Sequence, residues 1–81
     1  MKNIIDIRDR NKYNINHIPG AINIESMELF DNPNLYLNKN DIYYLYCDRG
    51  YTSSVISNKL NALGYNTVNI DGGFNNYLLR K

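Results

Sequence analysis

Apolar residues occur in short runs along the chain, and the runs alternate with stretches in which apolar residues recur at helical spacing. The longest run, Ile42–Tyr46, is rich in aromatic residues and lacks polar alternation, which is typical of a parallel strand covered on both faces. Residues 54–63 are predicted to form the helix that follows. Thr52 or Ser53 is expected to cap its start, and Gly64 is expected to close its end. The apolar residues on one side of this helix are Val55, Ile56, Leu60 and Leu63.

Three further segments are predicted as strands, at residues 3–7, 21–24 and 66–70. The last one alternates between apolar and polar side chains, which favours an edge position in a sheet. Short helices are expected at residues 9–13, 26–30 and 74–79, with Asp9 and Ser26 as caps and with Arg80 and Lys81 at the final C-terminus. Strands that alternate with helices predict the α/β class, here a small parallel sheet of about four strands flanked by helices.

Residues whose side chains could take part in binding or catalysis lie at the carboxyl ends of three predicted strands. Asp6 and Arg8 end the first strand, Cys47 follows the third, and residues 71–73 follow the fourth. Ligands bind at this edge of parallel sheets, so we expect these residues to lie close together. We interpret Asp6 and Arg8 as a structural charge pair, and His17 as a packed, hydrogen-bonded loop residue.

Cys47 is the single cysteine, and it lies between a predicted strand and a predicted helix. The short loop after it leads to a helix N-terminus, where free N–H groups and the positive dipole end stabilise an anion. A thiolate there needs no histidine or metal, and its pKa is expected to fall below the ordinary thiol value. The alternative is a small buried apolar residue that ends a strand. The strand-loop-helix placement favours the reactive thiol.

Composition narrows the class of protein. The 81 residues carry a formal net charge of +1 and are 43% apolar, which suits one small domain over residues 1–81. No basic stripe is present, so nucleic acid is not an expected partner. One cysteine and one histidine provide neither a disulfide nor a zinc-ligand spacing, so no metal or cofactor is expected. Charges within residues 1–6 and short apolar runs argue against a signal peptide or a membrane span, and we expect a soluble, cytoplasmic protein.

Four sequence blocks together resemble the single-domain rhodanese-like sulfurtransferases. They are IDIRD at residues 5–9, HIPGAINI at 17–24, CDRGYTS at 47–53 and DGGF at 71–74. Each block alone is a weak to moderate signal, but four in this order and spacing, over nearly the whole chain, are specific. The resemblance implies a rhodanese-like fold whose active-site loop begins at Cys47.

The resemblance also implies a reaction. Cys47 would take a sulfane sulfur from thiosulfate or another persulfide, and would pass it from a cysteine persulfide to a thiol or cyanide. The donor and acceptor would be small molecules or proteins. The residues expected to bind substrate through side chains or backbone amides are Asp48, Arg49, Gly50, Tyr51, Thr52 and Ser53. Two alternatives use the same loop: a non-catalytic sulfur-carrier or regulatory binding module, and a redox-sensing thiol.

The length of the loop separates sulfur transfer from oxyanion chemistry. Cys47 to Thr52 spans six residues, a count that resembles the sulfurtransferases. Phosphatases and arsenate reductases of this fold have a longer loop that ends in arginine. Ser53 stands where that arginine would be, and a serine cannot hold an oxyanion in the bidentate way of a guanidinium. A phosphatase is therefore the less favoured enzyme.

Two features depart from the family pattern. Asp48 places a carboxylate beside Cys47, which predicts a raised thiol pKa and repulsion of doubly charged thiosulfate. Arg49, read either as a steering charge or as a solvated loop residue, partly offsets this charge, and Tyr51 is expected at the lip of the pocket. Family domains also begin with a further strand and helix before the strand at residues 3–7. A sheet without them would leave the edge of the fourth strand unpaired, and we expect marginal stability, a homodimer through that edge, or a fragment of a longer chain.

Overall fold

The computed structural model describes residues 3–80, in which strands and helices alternate. The strands are β1 (Ile4–Asp6), β2 (Ile22–Asn23), β3 (Ile42–Tyr46) and β4 (Asn66–Asn69). The helices are α1 (Arg10–Ile15), α2 (Ser26–Asp31), α3 (Tyr51–Ala62) and α4 (Gly73–Leu79), with a 3₁₀ turn at Pro33–Leu35. These four strands are parallel, in the order β2-β1-β3-β4. The predicted α/β class and four-stranded parallel sheet are confirmed.

Alternate residues of β1 and β3 point to opposite faces of the sheet, and helices cover both faces. Ile5 and Leu45 are paired in register, and both lie in one apolar cluster with Leu29 of α2 and Leu60 of α3. The cluster on the other face contains Ile4, Ala21, Tyr46 and Phe74. Burial on both faces explains why β3 shows no alternation of apolar and polar residues.

Helix α3 begins at Tyr51, earlier than the sequence pattern predicts. Its N-cap is Gly50, which adopts a left-handed conformation with φ of 97°, so the expected cap at Thr52 or Ser53 is wrong. Glycine takes positive φ without a Cβ clash, and the chain therefore turns from the loop straight into the helix. Thr52 and Ser53 lie in its first turn instead. Gly64, with φ of 100°, follows the helix as predicted.

The buried face of α3 also differs from the predicted one. Ile56 and Leu60 are buried as expected, whereas Val55 and Leu63 are 65% and 48% exposed. Two serines, Ser53 and Ser57, face inward in their place. The Ser57 hydroxyl lies 2.6 Å from the Thr67 hydroxyl on β4, so a hydrogen bond satisfies this part of the contact between helix and sheet. A pattern of hydrophobicity cannot show such a polar contact.

The residues predicted at the ends of α1, α2 and α4 are confirmed only in part. Asp9 caps α1 as predicted, because its side chain accepts a hydrogen bond from a main-chain N–H in the first turn. Ser26 does not cap α2: Glu25 is the N-cap, and Ser26 is the first helical residue. Arg80 follows α4 as expected, whereas Lys81 lies outside the described residues.

Strand β4 lies at one edge of the described sheet, as its alternating pattern predicts. The homodimer expected through this edge stays a prediction. Strands β1, β2 and β4 are shorter than predicted but lie within the predicted segments. Over residues 3–80, the helices are too short or too polar to cross a membrane.

Candidate active site

Cys47 directly follows β3 and lies at the carboxyl edge of the sheet. The residue is 8% exposed, and it borders a surface depression of about 290 Å³. The other residues that line this depression are Asp48, Arg49, Tyr51 and Thr52. Cys47 is therefore packed within the protein but adjoins a space that suits a small anion.

Main-chain N–H groups of the loop point at the sulfur of Cys47. The Gly50 nitrogen donates to Sγ over 3.2 Å, and the Ser53 nitrogen donates over 3.4 Å. The Ser53 hydroxyl oxygen lies 3.3 Å from Sγ. Gly50 and Ser53 are the N-cap and a first-turn residue of α3, a helix of 12 residues. The free N–H groups and the positive dipole end of that helix therefore meet at the sulfur, as the sequence predicts.

The pKa of Cys47 is lowered from its ordinary value. Burial is the largest single influence and acts against ionisation, but hydrogen bonds to the sulfur together outweigh it. They come from the Ser53 hydroxyl and from the main-chain N–H groups of Ser53, Gly50 and Arg49. Each of these bonds favours the thiolate over the thiol, so the loop itself stabilises an anionic sulfur.

The turn between β4 and α4 packs directly against the Cys47 loop. The Phe74 nitrogen donates to the Cys47 carbonyl oxygen over 2.8 Å. The two segments approach so closely that a Cβ on Gly50 would lie 3.1 Å from the Gly72 nitrogen. The ends of β3 and β4 therefore meet as predicted, and the second turn fixes the position of the first.

Asp6 and Arg8 form a buried charge pair at the carboxyl end of β1. Arg8 Nη2 lies 2.7 Å from Asp6 Oδ2, and the Tyr46 hydroxyl donates to the same oxygen over 2.7 Å. Burial and this hydrogen bond raise the pKa of Tyr46. The Arg8 guanidinium also lies 4.1 Å from the centre of the Phe74 ring. The pair thus joins β1, β3 and α4, in keeping with the structural role that the sequence predicts.

The carboxylate of Asp48 is compensated by two cations. Asp48 Oδ2 lies 2.6 Å from Lys12 Nζ, and Oδ1 lies 3.6 Å from Arg8 Nη1. The net pKa of Cys47 is lowered by the hydrogen bonds at its sulfur, and the expected raising effect of Asp48 on that pKa stays a prediction. Lys12 lies on α1, 36 positions from Asp48, and local sequence gives no signal for a pairing over that separation.

The other predicted loop residues lie at the mouth of the depression. Arg49, Tyr51 and Thr52 are exposed and line it. Tyr51 is 76% exposed, at the lip where the sequence places it. His17 packs as predicted: its ring is stacked on that of Tyr13 with centroids 3.9 Å apart, and Nδ1 lies 2.9 Å from the Tyr13 carbonyl oxygen.

Asn69 joins this site from β4, although the sequence pattern does not single it out. Its Oδ1 accepts a hydrogen bond from the Ser53 hydroxyl over 2.5 Å. Its Nδ2 lies 3.4 Å from the Gly50 carbonyl oxygen and 3.4 Å from Asp71 Oδ1. The one available signal is position, since Asn69 ends β4 at the same edge of the sheet where Cys47 follows β3.

The arrangement suits nucleophilic chemistry at sulfur. A stabilised thiolate at the edge of a depression can attack a small electrophile, and the surrounding N–H groups can hold an anionic product. Over residues 3–80, no three histidine, cysteine, aspartate or glutamate side chains are grouped to hold a metal ion.

Comparison with known proteins groups this chain with one family. The family model described as the Rhodanese-like domain matches residues 1–80. The thiosulfate sulfurtransferase PspE of Escherichia coli is 32% identical over 78 residues, which cover 95% of this chain and 75% of PspE. YrkF of Bacillus subtilis, named as a candidate sulfur carrier protein, is 33% identical over 66 residues, which cover 82% of this chain and 35% of YrkF.

Other relatives are much longer than this chain. It spans 18% and 19% of two proteins named adenylyltransferase and sulfurtransferase UBA4, from Ogataea parapolymorpha and Candida albicans. Among solved structures, SSP1007 of Staphylococcus saprophyticus matches with a TM-score of 0.87 and 36% identity, over 94% of this chain and 75% of that one. The likeness therefore extends over nearly all of this chain in both sequence and fold.

Proposed function

The chain belongs to the rhodanese-like domain family, and we propose that it is a sulfurtransferase that carries a sulfane sulfur as a persulfide on Cys47. One observation carries this proposal. The sulfur of Cys47 accepts hydrogen bonds from the main-chain nitrogens of Gly50 and Ser53 at the start of α3, beside a depression of about 290 Å³. A cysteine that only filled the core would need neither the donors nor the adjoining space.

In the first half of the reaction, the Cys47 thiolate attacks the outer sulfur of a sulfane donor. With thiosulfate, a bond forms between Sγ and the sulfane sulfur while the bond from that sulfur to the sulfonate breaks. Sulfite leaves with the electron pair of the broken bond, and Cys47 becomes a persulfide anion. Charge balances without any proton transfer, because thiolate and dianionic thiosulfate give persulfide anion and dianionic sulfite. The lowered pKa of Cys47 supplies the thiolate that this step needs.

In the second half, an acceptor thiolate or cyanide attacks the outer sulfur of the persulfide. Thiocyanate or the persulfide of the acceptor leaves, and the Cys47 thiolate is restored. We assign the catalytic role to Cys47 and the binding of the transferred anion to residues 48–53. Gly50 and Ser53 act through donors at the sulfur, while Arg49, Tyr51 and Thr52 shape the mouth of the depression.

The charge around the loop bears on the choice of donor. Asp48 would repel a dianion if it were unpaired, but Lys12 and Arg8 compensate its carboxylate. The exposed side chain of Arg49 adds a positive charge at the mouth. The site thus suits thiosulfate as well as a persulfide, and PspE, a relative at 32% identity, is a thiosulfate sulfurtransferase.

A second function that the same loop supports is a sulfur carrier that turns over only with a partner protein. The relation to YrkF, of which this chain spans 35%, favours it. A carrier would form the same persulfide on Cys47 but would release its sulfur slowly to small acceptors. A specific partner would then accelerate the release.

Mass spectrometry of the intact protein tests the proposal. After incubation with thiosulfate, or with a low-molecular-weight persulfide, we expect the mass of one added sulfur, which cyanide removes as thiocyanate. Cys47→Ser should gain no sulfur with either donor. A wild-type protein that gains none, or a Cys47→Ser variant that keeps full transfer activity, would overturn the proposal. A persulfide that forms but stays in the presence of cyanide and small thiols would identify the carrier instead.

A further inference from the structure

The Ser53 hydroxyl lies between two groups that compete for its proton. Its oxygen is 3.3 Å from Cys47 Sγ and 2.5 Å from Asn69 Oδ1. A hydroxyl carries one proton, so it can donate to one of these neighbours at a time. Asn69 Oδ1 accepts only, and a thiolate also accepts only. Once Cys47 ionises, both neighbours therefore require the same proton.

The amide of Asn69 is held with its oxygen toward Ser53. The other amide atom lies 3.4 Å from both the Gly50 carbonyl oxygen and Asp71 Oδ1. Both of these are acceptors, so the atom that faces them is the nitrogen, with two N–H donors. A reversed amide would bring its oxygen against two acceptors. Asn69 therefore cannot relieve the competition by turning its nitrogen toward Ser53.

We propose that Asn69 is a positioning residue that competes with Cys47 for the single Ser53 proton, and thereby sets how much thiolate the site holds. The proposal rests on the proposed role of Cys47 as the nucleophile. In the thiol state the protons run in one direction, from Sγ to the Ser53 oxygen and from the Ser53 hydroxyl to Asn69 Oδ1. On ionisation the hydroxyl must turn to Sγ, which leaves half-buried Asn69 Oδ1 without this donor.

The main-chain donors do not face this competition. Gly50 and Ser53 nitrogens point at Sγ in either protonation state of Cys47. Asn69 thus reduces the stabilisation that the loop gives to the Cys47 thiolate. Removing its acceptor oxygen should increase the thiolate population. The charged groups next to the loop lie on three segments of the chain and all remain in such a variant, in which Asp71 loses only its contact with Asn69 Nδ2. They are Arg8 and Lys12, Asp48 and Arg49, and Asp71.

The pH dependence of Cys47 alkylation by iodoacetamide, without any sulfur donor, tests this role. In Asn69→Ala we expect the midpoint to move to lower pH. One pH unit below the wild-type midpoint, the thiolate fraction should rise about three- to fivefold, as expected when ionisation no longer breaks the neutral hydrogen bond from Ser53 to Asn69. Ser53→Ala should move the midpoint to higher pH, because it removes the hydroxyl that donates to the thiolate.

The double variant separates this competition from a general effect on the loop. In the Ser53→Ala background, Asn69→Ala should leave the midpoint unchanged, since the hydroxyl proton for which Cys47 and Asn69 compete is absent. An equal shift in both backgrounds would overturn the proposal and show that Asn69 acts through its amide nitrogen, at the Gly50 carbonyl or at Asp71. An unchanged or raised midpoint in the single Asn69→Ala variant would overturn it as well.

Two further variants keep the result decisive. Asn69→Leu removes the acceptor while retaining the side-chain volume, and it should shift the midpoint in the same direction if the alanine variant does not fold. Asn66→Ala changes an asparagine of the same strand whose Nδ2 bonds to the Lys39 carbonyl, and it should leave the midpoint unchanged. Alkylation needs no donor, so failure of this role and failure of sulfur transfer give distinguishable results.

Discussion

Gly73 packs against the main-chain carbonyl oxygen of Cys47, with no room between them for a Cβ atom. Gly73 also adopts a left-handed conformation, with φ of 59°, which favours glycine. Through this contact the first residue of α4 supports the residue that starts the active-site loop. The position of Cys47 thus depends on a glycine that is 26 residues away in sequence.

A Gly73→Ala substitution should destabilise the protein strongly. The added Cβ would clash with the Cys47 carbonyl and would face the cost of positive φ, so we expect a loss of about 2–4 kcal/mol in the free energy of unfolding. Urea denaturation measures this loss in the free energy of unfolding. Gly20→Ala is the matched control, because Gly20 has φ of 88° with open space around its Cβ position, and its cost should be about 1–2 kcal/mol. Equal losses for the two variants would contradict the close packing at Gly73.

Asp6→Asn should destabilise the protein because it leaves the Arg8 guanidinium buried with a weaker partner. Asp6 is fully buried and Arg8 is 7% exposed, and breaking a buried ion pair costs about 3–5 kcal/mol. Tyr46→Phe removes two hydrogen bonds of the hydroxyl, one donated to Asp6 and one accepted from the Ile18 nitrogen, and should cost about 1–2 kcal/mol. Thermal or urea unfolding compares the two variants. A loss for Asp6→Asn no larger than that for Tyr46→Phe would argue against a buried pair that depends on its charge.

Lys12→Ala should weaken the use of thiosulfate. Without Lys12, the Asp48 carboxylate 2.6 Å from it loses its nearest cation, and its charge then acts on an approaching dianion. We expect KM for thiosulfate to rise about two- to fivefold at low salt, with an effect that fades as ionic strength increases. Lys39→Ala is the control, since Lys39 lies beside Gly64 and Tyr65, after the C-terminus of α3, whereas the Cys47 loop lies at the N-terminus of that helix. An unchanged KM at low salt would count against a role of this ion pair in donor binding.

The ionisation of Cys47 should make stability depend on pH. The folded pKa lies below the unfolded one, so the native state binds the thiol proton less tightly. The resulting stabilisation is fully present above the unfolded pKa and is lost as pH falls through the folded pKa. The free energy of unfolding of the wild type, relative to Cys47→Ser, should therefore increase with pH across this window. A difference that stays flat or declines with pH would contradict the lowered pKa.

Local sequence predicts the elements and the cysteine loop because both depend on neighbouring residues. The apolar run at Ile42–Tyr46 required a strand covered on both faces, and Gly50 gave the turn that leads from Cys47 into a helix. The start of α3 was placed too late because Thr52 and Ser53 resemble caps. Gly50 starts the helix through its left-handed backbone conformation, without a capping side chain, so a search for capping side chains does not find it.

Tertiary partners could not be predicted in the same way. Lys12 meets Asp48, and Asn69 meets Ser53, only after the sheet has brought distant strand ends together. The sequence shows these residues as an ordinary lysine and an ordinary strand asparagine. The compensation of the Asp48 charge was missed for the same reason, because its nearest cation, Lys12, comes from α1.

The rate of persulfide formation on wild-type Cys47 as a function of pH, measured by rapid quench and mass spectrometry under single-turnover conditions, tests the role of the loop most directly. We expect one ionisation, with a midpoint below that for alkylation of the same thiol in the urea-unfolded chain. A midpoint at or above the unfolded value, or a second ionisation that reports a catalytic base, would contradict a thiolate that the loop donors alone activate.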